Sequence, residues 1–248
     1  MIDSIIDIYH LNTVNLATVK ANGIVAVIHK ATEGATVKDA EYRTRRDKAK
    51  ALGLLWGAYH YSSGASVADQ VANFVEQAQP DENDVVALDW ESSTEGPDMT
   101  LDQACRFVEM IKSELGRWPV VYGGRLLRET IGAKRQAVLA NCPLWYSRYR
   151  SAPIGIPTAT WPTYTLWQFT DGNNGPTPHT VNGIGRCDRN RFAGTVDELT
   201  LQWPFSRREE GVNLGPGGQL LMAQFEPKTE KLRKVRVPKV DEKKRKQR

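Results

Sequence analysis

Long apolar runs are missing from this 248-residue chain. None approaches the ~20 residues that a bilayer crossing needs, so no membrane span is expected. The N-terminus, Met1-Ile2-Asp3-Ser4, has no basic segment followed by an apolar stretch. No secretory leader is therefore expected, and the chain reads as made in the cytoplasm, reaching any outside target by release or by another export route. Cysteine is scarce. Cys105, Cys142 and Cys187 are odd in number and widely spaced, which excludes a disulfide framework and a cysteine metal site. Histidine is nearly as scarce: His10, His29 and His179 form no metal-ligand spacing with the carboxylates, and His60 reads as a hydrogen-bonded residue of the fold. No metal and no cofactor are expected.

A strong charge of one sign is also missing from most of the chain. Residues 206–248 hold 13 Lys and Arg against 6 Asp and Glu, which leaves 20 against 23 for residues 1–205. A mildly acidic body thus carries a basic extension with a net charge of +7, and the formal +4 of the whole chain hides that division. The body is expected to be one domain, 1–205, and the extension, 206–248, partly disordered. The extension has two candidate short strands, 219–225 and 231–237, and ends in the charge run 239–246. That run is either a solvated end or an adhesive for anionic envelope polymers. Specific nucleic-acid binding is not expected, because only the extension is basic.

Within the body, short apolar runs alternate with helical patterns. Candidate strands are Ile5–Ile8, Ile24–His29, Leu54–Tyr61, Val85–Asp89, Val120–Tyr122, Leu144–Tyr149, Thr165–Phe169 and a weak one at Arg186–Asp188. Candidate helices cover 16–22, 40–52, 67–77 and 101–115, the last with Thr100 placed to cap it and Gly116 to stop it. Strand, helix, strand repeated four times implies a parallel sheet with right-handed crossovers. About eight strands in this length fit an α/β fold, a modified TIM-like β/α barrel with fewer helices in its second half. A doubly wound open sheet is the competitor.

In a barrel, functional side chains collect at the C-terminal strand ends. There this chain carries Asp7, Lys30 and Glu33, Tyr59 and Tyr61, Asp89-Trp90-Glu91, Tyr122, Trp145, Gln168 and Asp188. Asp89 and Glu91 stand two apart at the end of the apolar run Val85-Val86-Ala87-Leu88, so strand alternation points both to one face. Two carboxyls that close cannot both ionise freely. A protonated acid beside an ionised base is the arrangement that acetal cleavage needs. On this segment alone, metal ligation or a solvated strand end would read the same. Together the strand ends describe an acidic cleft lined with aromatic rings.

The ordered set of Asp7, Lys30-Ala31-Thr32-Glu33-Gly34, Gly57-Ala58-Tyr59-His60-Tyr61, Leu88-Asp89-Trp90-Glu91, Pro119-Val120-Val121-Tyr122, Leu166-Trp167-Gln168-Phe169 and Asp188-Arg189-Asn190-Arg191-Phe192 resembles glycoside hydrolase family 25, the Chalaropsis-type lysozymes found in many phage endolysins. The resemblance spans about residues 3–193. It implies N-acetylmuramidase action on peptidoglycan glycan strands, with retention of configuration. It implies Glu91 as general acid, Asp89 as partner of the substrate's acetamido group or of the oxocarbenium-like centre, and Asp7 and Asp188 as cleft carboxylates. Lys30, Glu33, Tyr59, Tyr61, Trp90, Tyr122, Trp145 and Gln168 are the expected substrate-binding residues. Where the family usually has a small Ser soon after the first Asp, this chain has the bulky Tyr9. The rival readings are a glycan-binding barrel without turnover and an envelope- or nucleic-acid-binding protein that acts through its basic extension.

Overall fold

A computed structural model describes residues 1–206. From residue 207 on, the extension, with its two candidate strands and its charge run, lies outside the described residues.

The strands form where apolar and β-branched residues crowd, and their buried patterns are near-continuous, as strands covered on both faces require. In chain order they are β1 (Ile2–Ile8), β2 (Ala26–Glu33), the two-residue β3 (Val37–Lys38), β4 (Leu55–Tyr61), β5 (Val85–Asp89), β6 (Val120–Gly123), β7 (Leu144–Ser147), β8 (Leu166–Thr170), the small hairpin β9 (Thr180–Val181) and β10 (Gly185–Arg186), and β11 (Asp188–Phe192). Hydrogen bonding runs β1-β11-β8-β7-β6-β5-β4-β2, and β1 also pairs with β2. That last pairing closes eight strands into a barrel and removes the open-sheet alternative.

One strand departs from the expectation. The closing strand begins at Asp188, where the sequence reading has a strand ending, and it runs antiparallel to both neighbours, β1 and β8. Its N-terminal end therefore lies at the barrel end where the other strands finish. Asp188 still reaches the cleft, as a cross-strand neighbour of Asp7.

Among the described residues six helices accompany the barrel: α1 (Leu16–Ala21), α2 (Tyr42–Ala51), α3 (Val67–Ala78), α4 (Leu101–Leu115), α5 (Arg125–Ile131) and α6 (Val196–Gln202). The side chain of Thr100 caps α4 and forms a capping box with Gln103, and Gly116 ends the helix in the left-handed conformation. The run Thr195-Val196-Asp197-Glu198 builds the same box at α6, a signal legible in the sequence but not used there. The second half of the barrel has only the seven-residue α5 and a short 3₁₀ turn at Leu139–Asn141 before β8, as expected of a barrel depleted of helices.

The barrel interior is filled by Ile5, Ala26, Ile28, Val85, Ala87, Val120 and Leu166. Gly57 leaves the room these need, since a Cβ there would come within 3.0 Å of Val85 Cβ. The end opposite the cleft is plugged after α6. Trp203 packs into the cluster with Leu199 and donates its indole N–H to the Trp56 carbonyl at 3.2 Å. Trp203→Ala should therefore destabilise the fold by about 3–5 kcal/mol, the usual cost of emptying a large core position, read as a lower midpoint in urea denaturation. A loss under about 1 kcal/mol would show that the plug is dispensable.

Candidate active site

The site is built outward from Asp7 at the end of β1. Burial removes water from its carboxylate, and two amides replace it. Gln168 on β8 donates from Nε2 to both oxygens at 3.0 Å, and Asn190 on β11 donates from Nδ2 to Oδ2 at 2.8 Å. Each amide is itself locked. Gln168 Oε1 accepts the hydroxyls of Tyr122 at 2.8 Å and Tyr149 at 2.7 Å, and Asn190 Oδ1 accepts the indole N–H of Trp145 at 2.6 Å. Both NH₂ groups must then face Asp7.

Asp89 and Glu91 leave the end of β5 on the cleft side, as strand parity predicts. Between them Trp90 turns the other way. It is fully buried and donates its indole N–H to the Met99 carbonyl at 2.8 Å, beneath the start of α4. Asp89 is also buried, and its Oδ1 has no hydrogen-bond partner among the described residues.

On the neighbouring strands, β2 has a bulge at Ala31, so that Lys30 pairs with Tyr59 and Glu33 with Tyr61. Two residues three apart thereby share a face. Lys30 Nζ donates to Glu33 and lies 4.8 Å from the centre of the Tyr61 ring, while Thr94 donates to the other Glu33 oxygen. Glu33 is thus occupied in holding Lys30 and the loop after β5.

The resulting cleft has a volume of about 230 Å³. It is lined by Asp7, Asp89, Glu91 and Asp188, by Lys30 and Gln168, and by the rings of Tyr9, Tyr59, Tyr61, Tyr122, Tyr149 and Trp145. Of the twelve residues expected at the site, ten line it; Trp90 and Glu33 do not. Trp145 forms floor rather than platform, because it is 2% exposed and its indole N–H is committed to Asn190. Three participants escaped the sequence reading: Tyr9, whose bulk was noted without a role, Tyr149 and Asn190. Tyr149 carried no signal beyond its place after a strand, and Asn190 stood in a matching motif. His60 lies outside the cleft, fully buried, between Thr32 Oγ1 at 2.8 Å and Gln70 Oε1 at 3.1 Å, and stacked on Phe107. Burial lowers its pKa to about 4. Among the described residues no group of three or more His, Cys, Asp or Glu is arranged to hold a metal ion.

Four carboxyls in so small a space titrate as a set. Burial raises Asp7 to about 6, and the hydrogen bonds from Asn190 and Gln168 hold it there. Glu91 rises to about 7, through burial and then the charge of Asp7. Asp188 rises to about 9, through burial and then Asp7, Asp171 and Glu91. Asp89 is pushed well above the carboxylate range by burial and by Glu91 and Asp7. The sequence reading makes Asp89 the ionised partner of a protonated Glu91. The geometry moves the first negative charge to Asp7, the carboxylate with three amide contacts, because Asp89 has no comparable donors.

The sequence profile of glycosyl hydrolases family 25 matches residues 6–177. Among curated proteins, lysozyme M1 of Streptomyces globisporus is 26% identical over 209 residues, covering 78% of this chain and 69% of that protein. Among solved structures, the muramidase from Trichobolus zukalii aligns with a TM-score of 0.66 at 28% identity, over 79% of this chain and 95% of that one. The lysozyme from Streptomyces coelicolor aligns with a TM-score of 0.68 at 26% identity, over 79% and 94%.

The charge set predicts a stability effect. The Asp188 pKa is raised from 3.8 to about 9 in the fold. Its contribution to stability is therefore complete below pH ~4 and is lost as pH rises through about 9. Asp188→Asn removes that loss. Its thermal midpoint should exceed the wild type's at pH 8 and match it near pH 4; equal midpoints at both pH values would show that Asp188 is not held protonated.

Proposed function

The chain belongs to glycosyl hydrolases family 25, and on that footing we propose that it is a peptidoglycan hydrolase, a lysozyme that cleaves the β-1,4 bond between N-acetylmuramic acid and N-acetylglucosamine. The observation that carries this reading is the gathering of Asp7, Asp89, Glu91 and Asp188 in one cleft lined with rings. Glu91, at about 7, keeps its proton to near neutrality while Asp7, at about 6, gives its proton up first.

Glu91 then protonates the departing glycosidic oxygen. Asp89, which lines the cleft, offers its carboxyl to the substrate's acetamido group and steers that group's oxygen to bond with the anomeric carbon as the leaving sugar departs. The amide-held Asp7 anion stabilises positive charge developing at that carbon without having to reorganise. Glu91, now ionised, activates the water that opens the intermediate, and configuration is retained overall. Tyr9, Tyr61 and Tyr149, the half-buried rings of the lining, offer faces for the sugars. Lys30, restrained by Glu33 and Tyr61, offers an ammonium to sugar oxygens.

The target is the bacterial cell wall, reached by release or export. Adhesion of residues 206–248 to anionic envelope polymers is a separate part of the reading and rests on charge alone. With all four carboxylates gathered in one cleft, nothing favours a barrel that only binds glycan.

Glu91→Gln keeps the volume and removes the proton, so hydrolysis of purified peptidoglycan, read as reducing ends, should fall about 10²–10⁴-fold with the fold intact. Activity within threefold of wild type would remove Glu91 from the mechanism. Asp89→Asn should also be severe, and full activity in that variant would make Asp89 structural.

The pH–rate profile should be a narrow bell. Its acidic limb lies near 6, where Asp7 takes up a proton, and its alkaline limb near 7, where Glu91 loses one. A rate still climbing past pH 9 contradicts this division of roles.

A further inference from the structure

Beyond the carboxylates the surface changes sign. Beside Glu91 and Tyr149 lies a second groove, of about 690 Å³, whose walls carry Arg125, Arg128, Arg148 and Arg150. Glu91 is its single carboxylate. The first two arginines stand on α5 and the other two follow β7. Arg125 is mostly exposed and shares its charge with Glu129 at 2.9 Å. Arg128 makes one long hydrogen bond, to the Tyr146 hydroxyl at 3.4 Å. Among the described residues, Arg128, Arg148 and Arg150 have no ion pair with a carboxylate. The Nε of Arg148 is buried without a hydrogen-bond partner among those residues.

The far wall is built firmly. Gly175 has φ 92°, and a Cβ there would lie 2.1 Å from the Phe169 carbonyl oxygen, so nothing bulkier than glycine fits. Asp171 accepts the backbone N–H groups of Asn173 and Asn174 in the same turn.

Three guanidiniums without matching carboxylates, beside an Arg125 that shares its charge with Glu129, repel one another unless an anion joins them. The guanidinium fork matches a planar carboxylate, which it grips through two parallel hydrogen bonds. The sugars of a peptidoglycan strand are uncharged; its carboxylates sit on the peptide stems joined to the lactyl group of each muramic acid. The cleft itself holds four carboxyls in about 230 Å³ and offers the carboxylates of such a stem one cation, Lys30. The groove opens at Glu91, next to the bond to be cut. We propose that this arginine groove is a subsite for the carboxylates of the peptide stem on a muramyl residue adjoining the scissile bond. This rests on the muramidase reading and adds the part of the substrate that gives affinity without chemistry.

The test uses soluble glycan chains with their stems and the same chains after an amidase has removed them and the lactyl carboxylates this exposes have been capped as neutral amides. Stem removal should raise the wild-type KM about tenfold, the size of one charge-assisted hydrogen bond, and leave kcat within about twofold. In Arg148→Gln/Arg150→Gln the two substrates should give the same KM, whereas Arg150→Lys should keep most of the preference. Added salt should erode the wild-type preference, since half-exposed charges are screened. An equal wild-type KM on both chains overturns the proposal, as does a variant whose KM rises by the same factor on both, because the arginines would then serve the glycan or the fold. Stronger competition from a teichoic-type polyphosphate than from free stem peptide makes the groove a phosphate site and also overturns it. A wild-type protein that cuts neither chain fails in a different way: it removes the muramidase reading and the proposal with it.

Discussion

The site depends on one buried anion and on the two amides that hold it. Asp7 lies where burial alone would keep it neutral, and Gln168 and Asn190 supply the donors that make its ionisation possible. Those amides cannot turn over. A half-turn of Gln168 would set its carbonyl against the carboxylate and strand two tyrosine hydroxyls, and the same turn of Asn190 would strand the Trp145 indole. The network therefore ties β1, β6, β7, β8 and β11 together at one point. It fixes the charge that adds to burial in raising the Glu91 pKa.

Gathering four carboxyls at the mouth of a barrel is costly, and the rest of the fold absorbs that cost. Asp7 and Asp188 stand directly across from each other on adjacent strands, a pairing that disfavours two charges. The filled interior below them and the Trp203 plug at the far end pack the strands together beneath that pairing. On one side the repulsion is met by Lys30, kept in place by Glu33 and the Tyr61 ring. On another, the arginine groove begins at Glu91 itself. An acidic cleft beside a basic groove suits a polymer whose backbone is neutral and whose branches are anionic.

Much of this was legible from residue patterns, for reasons that can be named. Seven of the barrel strands sat where apolar runs predicted them, because strands covered on both faces leave few polar residues to blur the signal. The α4 helix was framed by its own capping residues, Thr100 and Gly116. The eighth strand was legible only as a weak run at Arg186–Asp188, which ends where the strand begins. Asp188-Arg189-Asn190-Arg191-Phe192 reads as polar, because its inward residues serve the site and Arg189 is spent on backbone carbonyls and Asp3. Its antiparallel direction leaves no local trace. Trp90 was misplaced because an aromatic between two acids looks like part of their cleft, although strand parity already sends it to the other face.

The sequence by itself determined which groups the cleft would contain: carboxylates and rings at strand ends, with Asp89 and Glu91 on one side through simple alternation. It pointed to the barrel as well, but left the open sheet as a competitor that the β1–β2 pairing removes. Tertiary structure decided what those groups do. Parity could not place Lys30 and Glu33 together, because a bulge is an event in strand pairing. Nor could spacing reveal which acid ionises first. A pKa is set by dehydration and by neighbours in space, and the neighbours that matter most to Asp7, Asn190 and Gln168, lie 183 and 161 residues away in the chain.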